Sequence, residues 1–338
     1  MRIPASVTYI GEYAFQNCSA MEKVRFTYQE DLTGSFFEYY KTIKNDFIYH
    51  VISDADYDTY VKPYCTATNL NSISAYAFNG CSKLNFFWYE NTSGVINDKG
   101  GLILDSSFDT IGAYAFADCD ALVNVKLPAS IETVGTHAFY DCDSLTDIIL
   151  DPGYHILGAH MFESCQSLTT VTIPDTVTTV NEYAFANNNL TEVELKNSVI
   201  GDYMFYNNTK IFEFAPEGQN ENTNNVILYQ TDVLSSIGYA AFGACTSLQQ
   251  MTLTFVGSRK EEDGNTFDSL FGYIFGHTNV ENVTYAVQQT YADEFETQKV
   301  KIYNNGSYEE RNFTADSSFY IPASLRKVTI LEETVIPY

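Results

Sequence analysis

Apolar and polar positions along this chain follow one repeating phrase. Segment 128–150 reads PASIETVGTHAFYDCDSLTDIIL, segment 152–173 reads PGYHILGAHMFESCQSLTTVTI, and segment 174–195 reads PDTVTTVNEYAFANNNLTEVEL. Each carries an aliphatic residue, a phenylalanine five positions later, a small residue three after that, and a leucine close behind. Two more apolar residues separated by one then close the phrase. Anchored on its phenylalanine, the phrase recurs at Phe15, Phe78, Phe116, Phe139, Phe162, Phe185, Phe205, Phe242 and Phe275, with a weaker tenth copy at Phe319. The anchors Phe116, Phe139, Phe162 and Phe185 follow one another at 23 residues. The next interval is 20, and the others are lengthened by insertions.

The spacing predicts the elements. Leu122, Val125 and Leu127 end in period-two alternation, which specifies a short strand with one buried face. The arm around Tyr114 and Phe116 is expected to be a turn or a short helix opposite the strands. A unit this small cannot bury its own apolar ladder, so neighbours must stack and share it. The expected fold is an α/β-type repeat solenoid with short parallel strands, spanning residues 1–338 as one domain of about ten repeats. Insertions fall near 27–69, 90–106, 215–232, 254–266 and 286–318. The first could hide a degenerate copy anchored on Phe36 or Phe47. In the last, alternation around Asn305 and Gly306 predicts a hairpin.

Three residues after the anchor stands Cys18, Cys81, Cys119, Cys142, Cys165 or Cys245, with Asn188, Asn208 and Thr278 in the same slot elsewhere. A buried free cysteine is a small hydrophobe with a weak S–H donor. Its exchange with asparagine indicates that the slot also offers a hydrogen bond to backbone. Disulfides and zinc are the alternatives, but single cysteines a full repeat apart lack the paired spacing of zinc sites. Cys65 lies outside the column.

The motif Ile-Gly-x-Tyr-Ala-Phe-x-x-Cys-x-x-Leu-x-x-Val-x-Leu at 111–127 resembles the BspA-type leucine-rich repeats. The resemblance covers most of the chain. It implies a curved right-handed superhelix, secretion or cell-surface display, and adhesion to protein or matrix ligands, but it names no ligand. The opening Ile3-Pro4-Ala5-Ser6-Val7 matches the start of the repeat at 128. The chain therefore reads as an excerpt of a longer secreted protein whose signal peptide and anchor lie elsewhere.

Charge narrows the partners. A net charge of −25 repels phosphate backbones and anionic bilayers, which argues against nucleic acid and against direct membrane binding. No apolar run reaches the roughly 18 residues of a membrane helix. Phosphate-loop, zinc-protease and nucleophile-elbow motifs are missing, so the expectation is a non-enzyme without cofactor or metal. His137 and His160 take the slot of Tyr76, Tyr114 and Tyr183 and read as column residues. The run Asp54, Asp56, Asp58 starts like a calcium loop and then breaks the pattern.

Each strand turns two residues outward around its buried centre. In the early copies these are Lys23 and Arg25, Phe86 and Trp88, Asn124 and Lys126, Asp147 and Ile149. Later copies give Thr170 and Thr172, then Glu192 and Glu194. Aromatic residues with basic neighbours make a binding hot spot, so Arg25, Phe86, Trp88, Lys126 and Ile149 are the candidate ligand-binding residues. The competing expectation is that the 27–69 or 90–106 insertion folds over them. The functional expectation is a secreted or surface module that binds a protein or extracellular-matrix ligand as a monomer. The alternative is a spacer or envelope element that self-associates end to end.

Overall fold

A computed structural model describes residues 1–4, 7–27, 70–88, 101–104, 106–216, 225–228, 234–259, 271–277, 285–290, 298–304, 307–313 and 318–331. Phe36, Phe47, Cys65, the Asp54–Asp58 run and the Asn305–Gly306 turn lie outside these residues. Each coil supplies a two-residue strand, a turn arm and a longer strand. The longer strands form two six-stranded sheets, and every adjacent pair in them is parallel. The first runs Arg2–Pro4, Lys23–Thr27, Phe86–Trp88, Gly101–Ile103, Asn124–Leu127, Asp147–Leu150. The second runs Thr170–Ile173, Glu192–Leu195, Asn225–Leu228, Glu213–Pro216, Gln250–Leu253, Lys327–Ile330. The two-residue strands form shorter parallel ladders, the longest joining Tyr9–Ile10, Ser72–Ile73, Thr110–Ile111 and Thr133–Val134.

Two insertions build sheet. Gly101–Ile103, from the 90–106 insertion, sits between the strands of the Phe78 and Phe116 coils. Asn225–Leu228, from the 215–232 insertion, sits between Glu192–Leu195 and Glu213–Pro216. The turn arms of the same coils stack directly on one another. At each place the long-strand side therefore gains one strand spacing, about 4.8 Å, that the turn side lacks.

The arm resolves to turns. Among the described residues the one helical element is the 3-10 turn Phe271–Ile274. Ala115 and Ala117 donate their N–H groups back three residues, within the arm. The alternate groups donate across coils: Tyr114 N to Thr136 O at 3.0 Å, Phe116 N to Ala138 O at 2.9 Å, Asp118 N to Tyr140 O at 2.9 Å. This alternation needs left-handed backbone at two positions per arm, seen at Tyr114 (φ 53°) and Asp118 (φ 56°) and at their equivalents. The second position is mostly Asn, Asp or Gly, the residues that adopt this region most readily. At the first, a ring must bear a cost of roughly 1–2 kcal/mol. Rings from Tyr13 through Tyr76, Tyr114, His137, His160 and Tyr183 to Tyr203 stack at 4.2 to 5.0 Å. At about 0.5–1.5 kcal/mol per contact, two stacking neighbours offset that cost.

Inside, the phenylalanines from Phe15 to Phe185 form a second stack with centroids 5.2 to 5.5 Å apart. From Phe78 onward they are fully buried. The cysteine slot does what its exchange with asparagine implied. Cys119 Sγ donates to Phe78 O at 3.3 Å, Cys142 Sγ to Phe116 O at 3.2 Å, and Cys165 Sγ to Phe139 O at 3.2 Å. Asn188 Nδ2 donates to Phe162 O at 2.9 Å and Asn208 Nδ2 to Phe185 O at 2.8 Å. Each slot residue thus satisfies the anchor carbonyl of the coil before it. Cys18 is exposed, contrary to the burial expected of it, since among the described residues its coil is covered on one side only. All six described cysteines are free thiols.

The last copies depart from the phrase. Gln250–Leu253 pairs directly with Lys327–Ile330, so the stretch after Phe275 has no place in the parallel sheet. That stretch, Tyr285–Thr290, pairs antiparallel with Ser318–Pro322, and Phe319 lies in a strand and not in a turn arm. The foreseen hairpin joins Gln298–Asn304 to Ser307–Phe313.

Two measurements check this core. Asn188→Leu removes the donor to the Phe162 carbonyl and should lower unfolding free energy in urea by about 1–3 kcal/mol, whereas Asn188→Cys should stay within about 1 kcal/mol of wild type. Alkylation at pH 8, mapped peptide by peptide, should label Cys18 and spare the buried thiols. Burial raises Cys81 to about 11 and Cys245 to about 12, leaving almost no thiolate to react.

Candidate functional site

In a parallel sheet without register slips, residues at equivalent positions form straight rows across the strands. One row of the first sheet carries Arg25, Trp88, Ile103, Lys126 and Ile149, each paired with the next. Four of the five sequence-predicted residues therefore share a row, one strand spacing apart. Phe86 falls in the row two positions back, between Lys23 and Gly101. The strands place the backbones of Arg25, Phe86 and Trp88; their side chains lie outside the described residues, as does the 28–69 stretch that could cover them. Ile103 was missed because it belongs to an insertion, although the run Gly101-Leu102-Ile103-Leu104 carried a strand signal.

Asn124 was expected to face solvent and is buried, at 4% exposure. The inserted strand puts Gly101 beside it, and the Asn124 amide occupies the space a side chain would need. A Cβ at Gly101 would lie 1.8 Å from Asn124 Oδ1, and the glycine has φ 142°. Lys126 is partly exposed, with Nζ 3.2 Å from Asp151 Oδ1. An ion pair this wet contributes little stability, so the ammonium remains available to a ligand. Ile149 is 49% exposed, an unusual state for a strand isoleucine.

Ile149 also borders a break. Strands Asp147–Leu150 and Thr170–Ile173 line one groove of about 370 Å³ yet belong to separate sheets, with no ladder between them. The two-residue ladder is open at the same boundary, between Thr133–Val134 and Ile156–Leu157. Only the turn arms stay bonded: His137 N donates to Ala159 O at 2.9 Å, Phe139 N to Met161 O at 2.9 Å, and Asp141 N to Glu163 O at 3.0 Å. Among the described coil boundaries from Phe15 to Phe242, this is the one where both strand ladders are open. The groove is lined by Asp147, Ile149, Thr170, Thr172, Glu192 and Glu194. Ile148 and Val171 complete its lining, so the groove sets three aliphatic residues among carboxylates and hydroxyls.

A second opening of about 400 Å³ lies beside the short strands, with Glu182, Asp202, Arg259 and Tyr273 on its wall. In the ring column, His137, His160 and Glu163 each offer a ligand atom within 4.8 Å of the others. Burial, with a smaller effect from His160, lowers His137 to about 4, so its ring is neutral at physiological pH. The remaining displaced groups are thiols of the cysteine column, tyrosines raised by burial such as Tyr154 and Tyr239, and the carboxyls of Asp120, Asp141 and Asp202, raised by burial.

A family model described as the BspA type leucine-rich repeat region, in six copies, matches residues 1–99, 101–212 and 219–336. No curated protein matches the chain. Among solved structures, a T. pallidum leucine-rich repeat protein shares 24% identity over 53% of this chain and 72% of its own, with a TM-score of 0.39. A leucine-rich repeat protein from Bacteroides ovatus shares 18% identity over 75% of this chain and 66% of its own, with a TM-score of 0.36. A leucine-rich cell surface protein from Faecalibacterium prausnitzii shares 18% identity over 82% of each chain, with a TM-score of 0.29.

The open boundary has a measurable consequence. Amides of Asp147–Leu150 and Thr170–Ile173 should exchange with deuterium faster than those of Asn124–Leu127, because each flanking strand has one edge without ladder bonds. Equal protection in the three strands would mean that the ladder closes in solution.

Proposed function

The chain belongs to the BspA-type leucine-rich-repeat family, and from that premise we propose that it is a surface-displayed or secreted binding module whose long-strand sheet grips a protein or matrix ligand. The observation that carries this reading is the backbone row of Arg25, Trp88, Ile103, Lys126 and Ile149, paired one with the next across five strands. Aromatic and arginine side chains supply most of the energy at such contacts, and the flat register holds them at fixed spacing. The strongly acidic surroundings steer the row toward ligands with exposed basic or neutral patches and away from nucleic acid. Binding, not turnover, is the activity we assign. The shifted thiols and rings of the columns owe their shifts to burial between stacked coils, and of the shifted groups Asp202 alone lines either groove.

A second reading, an envelope spacer that self-associates, has one observation in its favour. Large exposed apolar side chains cluster at both ends of the solenoid: Met1, Tyr9 and Tyr13 on the first coil, Val328 and Leu331 on the last. Among the described residues Arg2–Pro4 and Lys327–Ile330 are each paired on one side, and pairing with a second copy there would continue the sheet head to tail and grow into filaments.

Trp88 is the chain's single tryptophan, so its emission reports the row directly. Red-shifted emission quenched by iodide is expected, on protein that light scattering shows to be monomeric. Immobilised collagen, laminin and fibronectin are then screened with wild type, Trp88→Ala and Ile149→Thr. Loss of a hot-spot residue should weaken binding by about 2 kcal/mol or more, roughly 30-fold. Blue-shifted, protected emission, or variants that bind as well as wild type, would remove the row as the site. Concentration-dependent growth of the particle would favour the spacer.

A further inference from the structure

The two histidines of the ring column are in adjacent coils, and the boundary between those coils is the one whose strand ladders are both open. His137 and His160 stack across it with centroids 4.2 Å apart. Glu163 stands one residue after the anchor Phe162, where the neighbouring coils carry Tyr140 and Ala186. Its Oε2 lies 2.5 Å from His160 Nδ1, and its Oε1 accepts from Asn187 Nδ2 at 2.7 Å. Asn187 is itself held, because Asn207 Nδ2 donates to Asn187 Oδ1 at 2.9 Å. On the other ring, Thr136 Oγ1 and His137 Nδ1 are 2.7 Å apart. The ligand atoms that the three residues offer lie within 4.8 Å of one another.

We propose that His137, His160 and Glu163 form a site for a divalent transition-metal ion, zinc fitting best, that closes the open coil boundary. Two imidazoles and a carboxylate are a donor set that zinc accepts at about 2.0–2.2 Å, with a fourth position left for water or another ligand. Hard cations such as calcium prefer all-oxygen shells and are poorly served here. Oriented partners behind the ligands are what metal sites require, and Thr136, Asn187 and Asn207 supply them. Glu163, with 13% of its side chain exposed, gives an ion a route in from solvent. The strong negative charge of the chain raises the local concentration of cations. Stacked rings aim their nitrogens along parallel planes, so an ion shared between them must turn the imidazoles out of the stack. Binding therefore has a signature beyond stability: the ring proton shifts produced by stacking should change. The ion would bond across the boundary that backbone ladders leave to the turn arms alone.

The test is a titration of zinc chloride into chelator-treated full-length protein, followed by calorimetry, thermal unfolding and histidine ring NMR. One equivalent should bind, raise Tm and shift the ring protons, while magnesium and calcium should not. His137→Tyr/His160→Tyr installs the ring the column uses at Tyr114 and Tyr183, so it keeps the stack. It should bind zinc at least about tenfold more weakly, as should Glu163→Gln, tenfold being the loss seen when even a supporting partner of a metal ligand is disturbed. Cobalt(II) in place of zinc should give a spectrum without the strong thiolate charge-transfer band. No saturable uptake by wild type, uptake that survives the double substitution, or a thiolate band placing the ion on cysteine would each overturn the site.

Discussion

Everything in this molecule depends on the fact that a coil of about 23 residues can satisfy neither its apolar face nor its backbone by itself. The neighbour does both. In the arm, half of the N–H groups turn inward and half reach the next coil, which fixes left-handed backbone at two positions per repeat. Inside, each anchor carbonyl is capped by a thiol or amide from the following coil. The phenylalanine and tyrosine columns follow from the same requirement, since only like shapes stack without gaps at a strand spacing.

That dependence explains where the interest of the surface lies. Where coils are fully bonded, residues at equivalent positions form rows of fixed spacing, and the row through Trp88 and Lys126 is one of them. Where the ladders open, between the Phe139 and Phe162 coils, the boundary is carried by the arms and the ring stack, and a groove appears on the sheet side. Exposed Ile149, the groove and the two histidines all belong to this junction, which links the proposed binding face to the proposed metal site. A residue bridging coils there adds to the arm hydrogen bonds and the continuous apolar core that join the two sheets.

Insertions changed the picture more than the repeats did. The phrase at Phe116, Phe139, Phe162 and Phe185 was legible from periodicity alone, including the donor role of the cysteine slot, because the same side chains recur under the same constraint. Gly101–Ile103 and Asn225–Leu228 fall in stretches that read as interruptions of the repeat, yet each adds a strand to a sheet. Their partners are set by which edges the coils leave open, a non-local property with no periodic trace. Asn124 shows the result: alternation placed it outside, and an inserted glycine beside it took it in.

The sequence by itself determined the repeat, its strands and its inner columns, because these are consequences of spacing along one chain. Only the tertiary structure decided which coils are bonded to which. That includes the break after Leu150, the skipped partner of Gln250–Leu253, and the meeting of His137, His160 and Glu163 at one boundary. Spacing dictates what a coil must offer its neighbour, but the fit between two particular coils depends on side-chain volumes and backbone geometry that exist only once they are stacked.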